Sequence, residues 1–570
     1  MALAYGNFNE LSHQLRFLLF ETGIGLSQHS IDYFIAQAHQ NLLRRLIDAS
    51  KREQLTPQPI VSHHLHDFID QLEEQMKNTQ PSSVFFRWAT LRHELDEALA
   101  NEAMAQAYQQ RWQMELSKEA NGFKRFWDWL CNQNSPEEIT QLLEQWGCTG
   151  HAAYPVFRAT AGFNRREVLQ YSPQFNAQVS LHWAALHKSY ACSTSANHYK
   201  HLMASQFPDE YQLWQSKLAF KHHHHEEFYP LPLHPWQWRN KIQPFFTDII
   251  DSKKLILLPH HQLAKPAMSL HTLMPSNGCH LKLSLEINSD STLQKVSAAS
   301  IDAAPALSAW LNQLLEQHNH YQQSLFITAN LAGLRIKNKT GSRQDTGLII
   351  QQPPLNLAGG QQIVPLAALF SRSPLSNAPL LCEIMAASNI DPLDYFSRYC
   401  RCVLSAQLHL LLHYGIALEA NPQNTLVVLS NNQPTALIIR NLENASLCIH
   451  QKYDTQSKPE LPPGAIIMTN SLDDLCGKFV EANLQNNLAH WVNYLNQHHF
   501  LGTRKLWQLL RNELQHLLTA IAPHSDQTLL SFYQNRLLAS PWQQKCQLLM
   551  RLNKKTDHSI PIPNPLTQSD

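Results

Sequence analysis

Apolar residues recur every three or four positions through the first part of the chain. Leu11, Leu15, Leu18 and Leu19 make one stripe, and Phe34, Ala38, Leu42, Leu43 and Leu46 make another. That spacing puts each set on one face of a helix, so residues 1 to about 140 predict helix after helix, interrupted at Pro57, Pro59 and Pro81. The period changes further on. Ser269 to Met274 reads as a short strand and Pro275-Ser276-Asn277-Gly278 as a turn. His280 to Ile287 then alternates, with Leu281, Leu283, Leu285 and Ile287 on one face and His280, Lys282, Ser284 and Glu286 on the other. Two such runs around a turn predict an antiparallel hairpin with one face buried.

The remaining segments follow the same logic. Residues 150–163 are irregular, and a helix starts at Asn164. Residues 176–221, with Trp183, His187 and Trp214, predict helix. Asp302 to His318 is helical, and Leu325–Ile336 and Gly347–Gln352 predict strands around a polar loop. Residues 363–372 and 378–387 have helical texture. Asp391 to Tyr414 is a strong amphipathic helix that Gly415 ends. Thr425–Leu429 and Ala436–Ile439 form a second hairpin, with Glu419, Asn421, Asn424, Arg440, Asn441 and Glu443 at its edges. From about 470 the chain is helical to roughly 553, with an extended or disordered tail. The fold class is therefore mixed α+β: a helical N-terminal lobe at 1–145, a central region at 146–385 built on an antiparallel sheet, and a mainly helical part at 386–570, forming a cleft.

Composition narrows the partners. A length of 570 residues is too great for one core. Lys+Arg 45 balances Asp+Glu 45, so no basic field recruits nucleic acid or anionic membrane. No apolar window is long enough for a membrane span, and the N-terminus lacks the basic lead-in of a secretory signal, so a cytoplasmic protein is expected. The 10 cysteines are scattered, which fits reduced thiols. Only 17 glycines are present, and neither the Walker spacing nor G-x-G-x-x-G occurs. The run His222–His225 cannot turn all its imidazoles to one ion, and reads as a solvated loop.

The candidate chemistry lies on the first hairpin. Ser269, Thr272, His271 and Lys282 put two hydroxyls, an imidazole and an ammonium on strands that hold donors in place, which suits a phosphate. The plain alternative is a solvated sheet face. Arg158 has the geometry to clamp a carboxylate, with a surface arginine as the alternative.

Four stretches in order then resemble a known family. They are His234-Pro235-Trp236-Gln237, Ser269-Leu270-His271-Thr272-Leu273, Leu281-Lys282-Leu283-Ser284-Leu285, and Gly415-Ile416-Ala417-Leu418-Glu419-Ala420-Asn421-Pro422-Gln423-Asn424. They resemble the NRPS-independent siderophore synthetases of the aerobactin-synthetase (IucA/IucC-like) family over about 150–550. The resemblance implies a thumb, fingers and palm, with ATP and a polycarboxylate such as citrate in the cleft. It also implies adenylation of a carboxylate followed by attack of an amine or hydroxyl, with Mg²⁺ on the triphosphate. A homodimer is a further expectation, since family members are often dimeric. Carried over by position, ATP falls to Ser269, His271, Thr272, Lys282, Gln294, Asn421 and Asn424. The carboxylate falls to His151, Arg158 and Thr160, and the metal to Glu419 and Asn441.

The departures cluster on those positions. The family's S-x-R-T has His271 for arginine, its second phosphate arginine is Gln294, and a strand arginine is Gln351. Its E-A-H-x-Q-N has Asn421 for histidine, and its R-D pair is Arg440-Asn441. A charge-assisted hydrogen bond contributes about 1.5–3 kcal/mol, so losing three cations weakens triphosphate binding by several kcal/mol. His271, when protonated, and Lys295 offset part of this. Three readings stay open: an active synthetase, a synthetase with an altered donor or nucleotide, and a non-catalytic relative that binds a ligand or a partner synthetase.

Overall fold

The computed structural model describes residues 8–567 apart from 149, 151–153, 155, 161, 288–295, 318–322, 338–345, 355–360, 451–452, 454–458 and 556. His151, Gln294 and Lys295 lie outside the described residues.

The N-terminal periodicity produces the helices Phe8–Glu21, Gln28–Arg52, Leu65–Thr79, Trp88–Glu119, Phe126–Gln133 and Pro136–Trp146. Leu15, Ala38, Leu42 and Leu46 are fully buried, as the stripes require. The 32-residue helix Trp88–Glu119 is about 48 Å long at ~1.5 Å per residue. Its first half, Leu91 to Ala107, packs with the N-terminal helices and the large sheet. Its far end, Trp112 and Leu116, belongs to a second core with the C-terminal helices.

Up to residue 440 the strands among the described residues are β1 (Val179–His187), β2 (Ala191–Ser193), β3 (Phe228–Leu233), β4 (Leu255–Pro266), β5 (Thr272–Pro275), β6 (His280–Leu283), β7 (Leu325–Ile327), β8 (Asn330–Ile336), β9 (Gly347–Gln351), β10 (Gln362–Pro365), β11 (Ile416–Ala417), β12 (Thr425–Ser430) and β13 (Gln433–Ile439). Eight form one antiparallel sheet in the order β2-β8-β9-β6-β5-β4-β1-β3. A second sheet runs β10-β12-β13-β7. The mixed α+β class and both predicted hairpins, β5–β6 and β12–β13, are present.

Several expectations are corrected. Residues 176–221 are not all helical, because β1 runs through them. Trp183, Ala184, Ala185 and Leu186 are fully buried, and a strand covered on both faces loses the alternation that marks it. Residues 362–365 are likewise strand before the short helix Leu366–Leu369. Ser269 lies in a bend and Leu270 and His271 in a turn, and the strand begins at Thr272. The hairpin has both faces covered: Lys282 and Ser284 are as buried as Leu281 and Leu283. The run predicted at 325–336 splits between the two sheets. The expected helix from about 470 to 553 is interrupted by the strand Trp542–Lys545, while the tail is extended at Ser559–Ile562, as one of the two expectations had it, and pairs antiparallel to that strand.

Two glycines are required by backbone shape. Gly278 in the β5–β6 turn has φ +83, and an added Cβ would lie 2.2 Å from the Gln206 carbonyl oxygen. Gly415 has φ +64 and turns the chain from its long helix into β11.

Burial holds four histidines neutral. Desolvation lowers His39, His271 and His280 to about 4 and His234 to about 3. A lowered histidine stabilises the fold above about pH 6.5, and that contribution is lost as pH falls toward 4. Glu53 and Asp96 are raised to about 7 by burial and act oppositely across the same window. These four histidines outnumber the two carboxyls, and burial lowers others such as His260 and His490 as well, so unfolding takes up protons and stability should fall as pH drops through about 5.5. Thermal melts between pH 7 and pH 5 should show a falling Tm. A flat or rising Tm would contradict this balance.

Candidate active site

The two hairpins meet at their ends. β6 carries Lys282, whose register partner on β5 is Thr272. The chain leaving β13 at Ile439 carries Arg440, Asn441 and Glu443 directly opposite. Lys282 Nζ donates to Asn441 Oδ1 at 2.8 Å and forms a close ion pair with Glu443. Lys282 draws the Glu443 carboxyl below its usual range against the opposing effect of burial.

Asn424, just before β12, fixes the facing loops. Its Nδ2 donates to the carbonyls of Glu419 (2.8 Å) and Asn441 (2.9 Å), and its Oδ1 accepts from the Asn441 backbone at 2.7 Å. Asn421 Oδ1 accepts from the backbone N–H groups of Gln423 and Asn424, closing the turn that aims them. Glu419 is held by Lys478 at 3.0 Å and Asn444 at 2.9 Å.

A buried carboxylate ties the two sheets together. Glu144, on the helix Pro136–Trp146, pairs with Arg440 through Oε1 and accepts from the Met268 N–H through Oε2 at 2.9 Å. Arg440 also donates to the Gln423 carbonyl. Gln351 donates to the Arg440 carbonyl at 2.9 Å. It therefore serves the joint between the sheets and does not line the cavity.

These contacts enclose a cavity of about 240 Å³. Ser269, His271, Lys282, Asn421 and Asn424 line it, as do Glu419 and Asn441. Thr272 is buried behind the wall and does not line it. His271 is kept neutral by burial and by Lys282, so it is no cation at neutral pH and does not replace an arginine's charge. Ser297 and Ser300 also line this space. Ser297 caps the 19-residue helix Ala298–Glu316 by accepting from the Ser300 N–H. The N-terminus of a helix carries about half a positive charge and binds anions. The S-x-x-S spacing before an apolar run was the sequence signal for this cap.

A second cavity of about 220 Å³ adjoins the first. Arg158, Thr160, Tyr154 and Arg551 line it, and His271 and Gln423 belong to both walls. Arg158 and Thr160 thus fall together beside the hairpin cavity. Arg551 comes from the far end of the chain, where nothing in its local sequence marks it. It is held by Glu94 at 2.8 Å.

The donors facing the first cavity from Glu419, Glu443 and Asn441 are all oxygen. That set suits a hard cation such as Mg²⁺, with phosphate and water oxygens completing the shell. Among the described residues no three His, Cys, Asp or Glu groups cluster as a metal site by themselves.

A helical lobe and an antiparallel sheet thus frame two adjoining polar cavities, one with an ammonium and one with guanidiniums. Comparison with known proteins places this arrangement. The family profile described as "IucA / IucC family" matches residues 140–371, and that described as "Ferric iron reductase FhuF-like transporter" matches 393–560. The chain is 26% identical to the uncharacterized protein y4xN of Sinorhizobium fredii, over 84% of this chain and 81% of that protein. It is 22% identical to staphyloferrin A synthase of Staphylococcus aureus, over 77% of this chain and 75% of that one. Its fold resembles ATP-bound aerobactin synthetase IucA from Klebsiella pneumoniae, with TM-score 0.70 and 17% identity over 89% and 88% of the two chains. Over residues 140–371 the chain matches the IucA/IucC family. No helix among the described residues is long and apolar enough to cross a membrane.

Breaking the Glu144–Arg440 pair leaves a buried guanidinium uncompensated, which costs about 3–5 kcal/mol. Glu144→Ala should lower the urea midpoint accordingly. Arg166→Ala, which breaks the exposed pair with Glu21, should cost under about 1 kcal/mol. Equal losses in the two variants would show that Glu144 does not hold the joint.

Proposed function

We propose that the chain is an ATP-dependent ligase of siderophore biosynthesis. It adenylates a citrate-like polycarboxylate in the cytoplasm and passes the acyl group to an amine or hydroxyl. One observation carries this reading: Ser269, Lys282, Asn424, Glu419 and Asn441 line one cavity, Arg158 and Thr160 line its neighbour, and the two share His271 and Gln423. A triphosphate in the first and a carboxylate in the second would meet at that shared wall. The division into 1–145 thumb, 146–385 fingers and 386–570 palm is part of the same reading.

The chemistry balances as two displacements. A carboxylate oxygen attacks the α-phosphorus of ATP and pyrophosphate leaves. The acceptor nitrogen or oxygen then attacks the acyl carbon, the bond to AMP breaks, and one proton is released. The residues provide position and charge. Lys282 exchanges Glu443 for a phosphate oxygen, and the helix end at Ser297–Ser300 faces the phosphates. Arg158 and Arg551 orient the carboxylates, since guanidinium pairs bidentately with that group. Mg²⁺ bound with the nucleotide would neutralise phosphate charge, and Glu419, Glu443 and Asn441 are the oxygens that would hold it. Neutral His271 donates or accepts at the shared wall and supplies no charge there.

Lys282→Ala removes the ammonium and should weaken ATP–Mg²⁺ binding, measured by isothermal titration, by about 10- to 150-fold, the equivalent of ~1.5–3 kcal/mol. Carboxylate-dependent exchange of pyrophosphate into ATP should disappear with it. Wild-type binding and exchange in Lys282→Ala would place the nucleotide elsewhere. Asn441→Asp restores a carboxylate to the donor set and should tighten Mn²⁺ binding in the presence of nucleotide. No tightening would remove position 441 from the metal site.

A further inference from the structure

Behind the Arg158 wall of the carboxylate cavity stands a carboxylate that competes for its guanidinium. Phe157 and Arg158 line the cavity, whereas Glu102 and Arg45 do not. Glu102, on the helix Trp88–Glu119, is nearly buried and serves two arginines unequally. Arg45, from the helix Gln28–Arg52, donates to its two oxygens at 3.0 and 3.4 Å. Gln106 adds a hydrogen bond to Oε1 at 3.3 Å. Arg158 Nε stands 3.8 Å from Oε2, beyond hydrogen-bond reach.

Two contacts hold Arg158 in that position. Asn101 donates to its carbonyl at 2.8 Å. The Phe157 ring attracts both guanidiniums, with Arg45 Cζ 4.9 Å and Arg158 Cζ 5.1 Å from its centroid. A ring face of this kind offsets part of the repulsion between two cations. Arg45, Glu102 and Arg158 together carry one positive charge. Without Arg45, Glu102 needs a move of only about 1 Å to pair with Arg158. The cluster would then be neutral, and the guanidinium would be drawn to the protein and away from the cavity.

We propose that Arg45 is a positioning residue for the carboxylate cavity. By holding Glu102 it keeps that carboxylate from closing on Arg158, and so leaves the guanidinium and its charge directed at a substrate carboxylate. Arg45 touches no reactant itself. The inference rests on the reading of this cavity as the carboxylate site, and adds a helix of the N-terminal lobe to the residues that set substrate affinity.

The test is isothermal titration of citrate into the full-length protein and four variants. Arg45→Ala should weaken citrate by about tenfold or more, the effect of one charge-assisted hydrogen bond. Glu102→Gln removes the competing charge and should bind citrate at least as tightly as the wild type. The double variant Arg45→Ala/Glu102→Gln returns the cluster to one positive charge and should bind within about threefold of the wild type. That rescue separates charge competition from packing, because a purely structural Arg45 would leave the double variant as weak as Arg45→Ala. Thermal melts report whether each variant folds. If Arg45→Ala does not, Arg45→Gln carries the same expectation. Arg158→Ala probes the cavity itself and should weaken citrate by about tenfold or more. Loss in Arg158→Ala with wild-type affinity in Arg45→Ala, or no rescue in the double variant, would overturn the positioning role and leave the carboxylate site standing. Wild-type affinity in Arg158→Ala, or no citrate binding by the wild type with or without a non-hydrolysable ATP analogue, would overturn both.

Discussion

One buried ammonium organises the cleft. Lys282 is 5% exposed and has its charge shared between Asn441 and Glu443. A buried cation without such partners costs several kcal/mol, so the loop after β13 must approach β6 for the fold to tolerate it. Glu144 enforces that approach from behind by binding Arg440 and the Met268 N–H together. The cavity therefore follows from two charge pairs, one in its wall and one in the joint that sets the wall's position. Lys282 has opposed partners on the protein and can be drawn to a stronger anion, which is the property a triphosphate site needs.

The positions where this chain departs from the family pattern it resembles take on different meanings once placed. Gln351 supports the Arg440 backbone and is structural. His271 is neutral and stands at the boundary of two cavities, so it alters shape and hydrogen bonding there without contributing charge. Asn441 loses the negative charge of the family's aspartate, while Glu443 supplies a carboxylate two residues on in the same cavity. The positive potential withdrawn with the arginines is met in part by the helix end at Ser297. With one lysine, two glutamates and a helix dipole, the cavity on the proposed reading would need a divalent ion beside any polyphosphate it takes.

Where a segment alternates or repeats at helical spacing, its structure was legible in the sequence. The N-terminal helices, the β5–β6 and β12–β13 hairpins and the long helix ending at Gly415 are of this kind. β1 was not legible, because burial on both faces replaces alternation with a plain apolar run, and Ala-rich runs also suit helices. Lys282, Asn424 and Asn441 were legible as residues with chemistry at hairpin ends. Glu144 and Arg551 were not, since a charged residue on an amphipathic helix looks like surface until its partner is known. Glu144 lies 296 residues from Arg440, and Arg551 lies 457 from Glu94. Pairings at that separation leave no local trace.

The most direct test is a crystal structure with a non-hydrolysable ATP analogue and Mg²⁺. The account predicts the triphosphate against Lys282 and the Ser297–Ser300 helix end, with Glu443 turned from the lysine toward the metal. An intact Lys282–Glu443 pair with the nucleotide bound elsewhere would contradict it.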